Sequence, residues 1–437
     1  MNPPTNTPSG TLAELAPLAD ALRSGALPLP EYLDRLEEHF EEREPEVQAF
    51  LPEEGRFAVL RLQAEELIAA FPDPAARPPL FGVPVGVKDI FHVRGFDTRG
   101  GSRLPPEELA GDEGPAVRAL RRAGALVLGK TVSTEFAYFG PGPTRNPVHP
   151  GHTPGGSSSG SAAAVGAGLC PLALGTQTIG SISRPAAFCG VVGFKPSYDR
   201  VPRQGVLELA ASYDHVGAFT RDLAGADLVA RVLCSPWQEP SPGPPKRLGV
   251  PDGAYLERAS PEGQAHFEAL CAAFAEAGFT LLRLDALGDI DALEQRHGQV
   301  LAAEAFAYHR RWIPRFRHLY HEKTLALVDR GREITARQLE VARRGRQQLR
   351  QRLEGLMDDH RLDLWLSPAA PGPAPAGLES TGDPIMNLPF SQAGLPTLAI
   401  PAGSGPSGLP LGLQLAGRFG ADEALFAWAR HLEGSLP

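Results

Sequence analysis

Between Thr153 and Ser181 the chain reads TPGGSSSGSAAAVGAGLCPLALGTQTIGS, a run of tiny residues with serines set among glycines at both ends. Few other features restrict a fold so tightly. Residues this small let backbones approach closely, and glycine admits conformations closed to other residues. Two serine hydroxyls can then meet inside a packed interior. A flexible Gly/Ser linker would be polar throughout, whereas this run is interleaved with Ala, Val and Leu. Ser161 to Gly168 reads as a short alanine-rich helix, and Pro171 to Thr176 (PLALGT) as a buried strand. Pro185 suits a first helical turn, so Ser181 is expected on a strand-to-helix turn with exposed backbone N–H groups.

Two serines lack a base, and the stretch LFGVPVGVKDI upstream supplies one. Read as a strand from Leu80 to Ile90, it places Val83, Val85 and Val87 in alternation with Pro84, Gly86 and Lys88. Lys88 would then enter a crevice beside small groups. Burial can lower a lysine pKa by about 3–5 units, which turns a poor base into a useful one. The chain holds only five lysines among 42 basic residues. Arginine, its usual cation, cannot deprotonate. The alternative reading of Lys88 is a strand-end lysine paired with an acid.

The N–H groups of Thr178, Ile179, Gly180 and Ser181 are the candidate donors for an oxyanion, the species that acyl transfer must stabilise. At this point the chain resembles the amidase signature family. The likeness runs through LFGVPVGVKD, AVRALRRAGALVLGKTVSTEFAYFG, RNPVHPGHTPGGSSSGSAAAVGAG, GTQTIGSISRPAAFCGVVGFKPSYDRVPRQGV and SYDHVGAFTRD. It resumes in NLPFSQAGLPTLAIPAG and GLPLGLQLAG. Together these cover over half the chain in the family's order. The resemblance implies an α/β fold, with a central, mostly parallel mixed twisted sheet covered on both faces by helices. It also implies a Ser-cisSer-Lys triad, with Ser181 as nucleophile, Ser157 as the serine after a cis peptide bond, and Lys88 as base. Ser158 would support the Ser157–Lys88 hydrogen bonds. The implied activity is hydrolysis of a carboxylic acid amide, with no cofactor and no metal.

The chain departs from the family's common GTDTGGSIRxPA. Gln177 stands for Asp, Ile179 for Gly, and Ser183 for the arginine, which moves to Arg184. Backbone donors survive such changes, but side-chain support around Ser181 is put in question. The pattern looks more like free-standing bacterial amidases than the amidotransferase subunit. That subunit, supplying ammonia from glutamine to a partner, is the first alternative, and a degenerate binding protein with the same fold is the non-enzyme one. A G-x-S-x-G reading centred on Ser158 would suit an α/β-hydrolase, but RNPVHPGHTP upstream is no strand. Allophanate hydrolases are similar in core but carry a further C-terminal domain.

A length of 437 residues and 42% hydrophobic content suffice for a large core. The net charge of −9, with no basic run, argues against a nucleic-acid surface. No signal peptide or membrane span is legible, so the cytoplasm is the expected location. The four cysteines lie apart and read as reduced buried thiols, and there is no C-x-x-C or H-E-x-x-H.

We expect one amidase domain over residues 1–437. Residues 1–60 form an N-terminal helical segment, 61–237 and 362–437 the catalytic core, and 238–361 a mainly helical insertion that contributes to the substrate pocket. Residues 11–26 and 30–43 read as amphipathic helices that pack on the core or meet a second copy in a homodimer. Phe306, Tyr308, His309, Trp312, Phe316 and Tyr320 read as core aromatics. A sharper reading has some of them wall the acyl pocket with Phe136 and Tyr138.

Overall fold

The computed structural model describes residues 14–239 and 243–436. Residues 1–13 of the N-terminal segment and 240–242 of the Pro-rich stretch lie outside the described residues. Ten strands form one sheet: β1 (Pro84–Lys88), β2 (Leu126–Thr131), β3 (Leu172–Gln177), β4 (Val192–Lys195), β5 (His215–Thr220), β6 (Arg247–Pro251), β7 (Thr280–Leu284), β8 (Leu364–Pro368), β9 (Thr397–Ser404) and β10 (Pro410–Ala416). Their order across the sheet is β2-β1-β3-β5-β4-β9-β10-β8-β6-β7. Parallel pairing holds at the two ends, in β2-β1-β3 and β8-β6-β7. The centre, from β3 to β8, is antiparallel. The sheet is therefore mixed, and its parallel share is smaller than the resemblance implied.

β1, β2 and β3 are buried at every residue. That explains their near-continuous apolar sequences, since helices cover both faces of such strands. The small-residue run forms the helix Ser159–Gly166, buried from Ser159 to Val165. Gly160 is one reason it packs so tightly, because a Cβ there would meet Ala49 O at 2.2 Å and Val132 N at 2.4 Å. Ser161 Oγ donates to Leu174 O and pairs with Thr131 Oγ1, tying the helix to β3 and β2.

The amphipathic helices upstream pack inward. Leu15–Ser24 buries Leu15, Leu18, Ala19 and Leu22, and Leu29–Val47 buries Tyr32, Leu33, Leu36 and Phe40. The segment expected as a helical insertion holds the helices Ile290–His309, Glu322–Arg332 and Ala336–His360. It also supplies β6 and β7, which extend the sheet beyond β8. Strand β7 is a five-residue edge with no fully buried residue, too short to stand out between helices.

Candidate active site

Lys88 ends β1 fully buried, with Nζ 2.7 Å from Ser157 Oγ and 2.8 Å from Thr176 Oγ1. Burial holds its amine well below the usual lysine range, and the nearby Asp214 carboxylate opposes that effect. A strand end delivers the lysine here because β1 lies beside β3, whose Thr176 provides the second hydroxyl. The Gly156–Ser157 peptide is cis. Ser157 then sits just before the helix Ser159–Gly166, with its carbonyl accepting from Thr134 N.

Ser158 lies one step away from the position expected for it. Its hydroxyl donates to Thr176 O at 3.2 Å and accepts from Thr176 N at 3.3 Å, so it braces the partner of Lys88 rather than the Ser157–Lys88 contact. Gly175 makes this approach possible, since a Cβ there would lie 2.9 Å from Ser158 Oγ.

Ser181 follows β3 on a turn that leads into the helix Ser183–Cys189. Among the described residues, the N–H groups of Ile179, Gly180 and Ser181 donate to no loop, cap or side-chain acceptor, as an oxyanion site requires. Ser157, Ser181 and residues 178–180 line one small cleft of about 10 Å³, room for roughly one water.

The departures from the common pattern acquire physical roles. Gln177 Oε1 accepts from both Ile182 N and Ser183 N at 2.8 Å, and its Nε2 donates to Ser391 Oγ at 2.9 Å. Ser391 Oγ in turn donates to Ile179 O at 2.6 Å, so the Ser181 turn is held at both ends. Gln177→Ala should lower kcat by up to about 100-fold through misplacement of the turn, with KM less affected, as steady-state kinetics would record. The displaced arginine is almost fully buried. Arg184 Nη2 donates to Gly156 O at 2.6 Å and Thr381 Oγ1 at 3.2 Å, while Nη1 reaches Gly382 O at 3.0 Å. It braces the residue before Ser157 and borders the cleft.

Asp214 was not singled out as a site residue. Thr178 Oγ1 donates to its Oδ1 at 2.5 Å, and Leu209 N and Ala210 N donate to its Oδ2. Burial raises its carboxyl to about 6 against these hydrogen bonds. It clamps the start of the Ser181 turn and is the charged group that acts on Lys88. The sequence signal was its place one residue before β5, which pairs with β3 through Gln177 and His215.

Of the two aromatics expected at the pocket, Tyr138 lines the cleft and Phe136 does not. Phe136 stacks with Tyr320 and Trp312 and meets His309 edge-on, all of them buried. His309, Trp312 and Tyr320 thus form core together with Phe136, while Phe306, Tyr308 and Phe316 stay half-buried. The backbone of Phe136 and Ala137 is left-handed, which turns Tyr138 toward the cleft while Phe136 points away. Among the described residues no group of three or more His, Cys, Asp or Glu could hold a metal, and the four cysteines are buried and free. No helix of the described residues is long and apolar enough to cross a membrane.

The amidase family model matches residues 40–426. The glutamyl-tRNA(Gln) amidotransferase A-subunit of a Synechococcus species is 32% identical, over 95% of this chain and 96% of its own. Its namesake from Thermus thermophilus is 36% identical, over 81% of this chain and 85% of its own. A solved structure described as an amidase is 31% identical, superposes with a TM-score of 0.88, and covers 97% of this chain and all of its own. With a family match that spans most of its length and long relatives above 30% identity, this chain belongs to the amidase family.

Proposed function

We propose that this protein hydrolyses a carboxylic acid amide through an acyl-enzyme on Ser181. The observation that carries the reading is the fully buried Lys88 amine at 2.7 Å from Ser157 Oγ, in a cleft that Ser157 shares with Ser181. Neutral Lys88 takes the Ser157 proton, Ser157 takes the Ser181 proton, and Ser181 Oγ bonds to the carbonyl carbon. The oxyanion meets the free N–H groups of residues 179–181. When the C–N bond breaks, the relay returns a proton to the departing nitrogen, and ammonia or an amine leaves. Water then adds to the acyl carbon, passes a proton to the relay, and releases the acid with Ser181 restored. Every atom of the relay belongs to the chain's own side chains.

The pH profile tests the base. Lys88 acts only when neutral, and burial places its folded pKa well below 10.5. Lowering the pH through that folded value protonates it, so kcat/KM should fall on the acid side in proportion to the lost neutral amine. A profile flat on the acid side down to pH 4, with activity retained in Lys88→Met, would point to a different base.

A second reading follows from the curated relatives, which belong to amidotransferases. In that case the amide is glutamine and the ammonia serves a partner. Glutamine and simple amides offered side by side, with ammonia as readout, separate the two. A marked preference for glutamine that rises when partner proteins are added favours the second reading.

A further inference from the structure

The cleft at Ser181 opens, past Tyr138, Phe139, Ile179 and Pro384, into an outer cavity of about 1150 Å³. A cavity for a ligand of drug size holds roughly 300–1000 Å³, so this one exceeds what a short amide fills. Part of its lining is apolar, with Leu301, Leu327, Ile385 and Leu388 almost wholly buried. Charged groups stand on the wall where the helices Ile290–His309 and Glu322–Arg332 pack against each other.

Arg330 belongs to that wall, is exposed, and pairs with no carboxylate among the described residues. The neighbouring carboxylate, Asp329, is held instead by Arg317 at 2.6 Å. The one side-chain hydrogen bond that Arg330 makes runs from Nη2 to Gly298 O at 3.0 Å. Gly298 makes room for it, because a Cβ there would lie 3.3 Å from Nη2. A guanidinium carries five N–H donors in a rigid fork, so most of them are left without a protein acceptor. Tyr138 stands where cleft and cavity meet, and burial raises its phenol while the Arg330 charge opposes that shift. The free cation is thus felt at the mouth of the cleft.

Lys323, two turns earlier on the same helix, lines the same cavity and also has a backbone partner, Glu379 O at 3.2 Å. The carboxylates around the cavity are placed differently. Glu294 meets Arg258 at 3.2 Å, Asp383 Oδ1 accepts from Ile385 N, and Glu333 ends the helix with its own N–H on Arg330 O.

We propose that Arg330 binds a carboxylate at the far end of the acyl limb, so that the substrate is a monoamide of a dicarboxylic acid. Its methylene chain crosses the apolar lining, and Lys323 adds a second positive charge. The fork of Arg330 can take both oxygens of a carboxylate, and such charge-assisted bonds are about twice as strong as neutral ones. The inference rests on the amide-hydrolase reading and names the substrate class for the same site. Arg330 is a specificity residue, separate from the relay.

Two sets of amides test it. Adipamate, hexanamide and 5-aminopentanamide share four methylenes and end in a carboxylate, a methyl and an ammonium; suberamate and octanamide share six. In at least one set the acid should exceed the methyl compound by about 10-fold or more in kcat/KM, the scale of a hydrogen bond to a charged group. Its KM should rise with added salt, while that of the neutral amide should not. Arg330→Gln should erase the preference, mostly through KM, and Arg330→Lys, which keeps the charge without the fork, should restore part of it. Equilibrium dialysis of the preferred acid with Ser181→Ala, with and without Arg330→Gln, reads binding apart from turnover, and thermal unfolding checks that each variant folds. Equal kcat/KM for acid and methyl amide at both lengths, a preference for the ammonium compound, or a preference for the acid kept in full by Arg330→Gln overturns the inference. Turnover of hexanamide or octanamide in those cases leaves the parent reading intact. Absence of hydrolysis for every amide removes both.

Discussion

Ser181→Ala should lower amide hydrolysis by about 10⁶-fold, the scale on which loss of a triad nucleophile acts elsewhere. The change removes one oxygen from a turn whose geometry is set by Gln177 and Ser391, so the donors and the Lys88–Ser157 contact stay in place. Thermal unfolding should therefore match wild type, and substrate binding should survive. Ser157→Ala strips Lys88 of one of its two hydroxyl partners and leaves Thr176. It should also abolish turnover, but it leaves the Ser181 hydroxyl present for a fluorophosphonate reagent. Mass spectrometry of labelled protein reads the difference. An adduct on Ser157 in the Ser181→Ala variant, with activity retained above about 1% of wild type, would reverse the two roles.

The second large effect is on stability. Lys130 Nζ lies 2.9 Å from Asp89 Oδ1, with the two side chains 1% and 0% exposed, directly beside Lys88 in the chain. Asp89 also accepts from Arg99 N at 3.1 Å and 3.2 Å. Lys130→Met leaves that carboxylate buried without its cation, and breaking such a pair from one side costs about 3–5 kcal/mol. This is a large part of the roughly 5–15 kcal/mol that holds a typical domain folded. Chemical denaturation should show the midpoint shifted with little change in slope. The double change Lys130→Met with Asp89→Leu should recover only part of the loss, because the Arg99 N–H then loses its acceptor. A loss under about 1 kcal/mol in Lys130→Met would mean that water or a rearranged neighbour already compensates the pair. Surface pairs such as Arg344–Glu340 should contribute far less, since solvent screens them.

Much of the site was legible because its signals are local. Lys88 stands out in a chain that otherwise uses arginine, and the serines stand out in a run too small-sided to be anything but close-packed. The helix at Ser159–Gly166 and strand β3 fall close to where the pattern put them. What escaped notice comes from distant partners. Ser391 reaches Gln177 across 214 positions, and Thr381 reaches Arg184 across 197. Asp214 reads as part of a motif, and only the pairing of β3 with β5 brings it to Thr178. Phe136 and Tyr138 are two apart, and the sequence offered no means to tell which one faces the cleft.

Read alone, the chain resembles the amidase signature family in its motifs, and its spacing puts Lys88 at a strand end and small residues around Ser157 and Ser181. Those properties depend on side-chain size and backbone freedom, which each residue carries with it. Tertiary structure alone decided which hydroxyl faces Lys88 and which side chains hold the Ser181 turn. Hydrogen-bond geometry and desolvation arise only when segments far apart in the chain, from tens to over two hundred positions, are packed together.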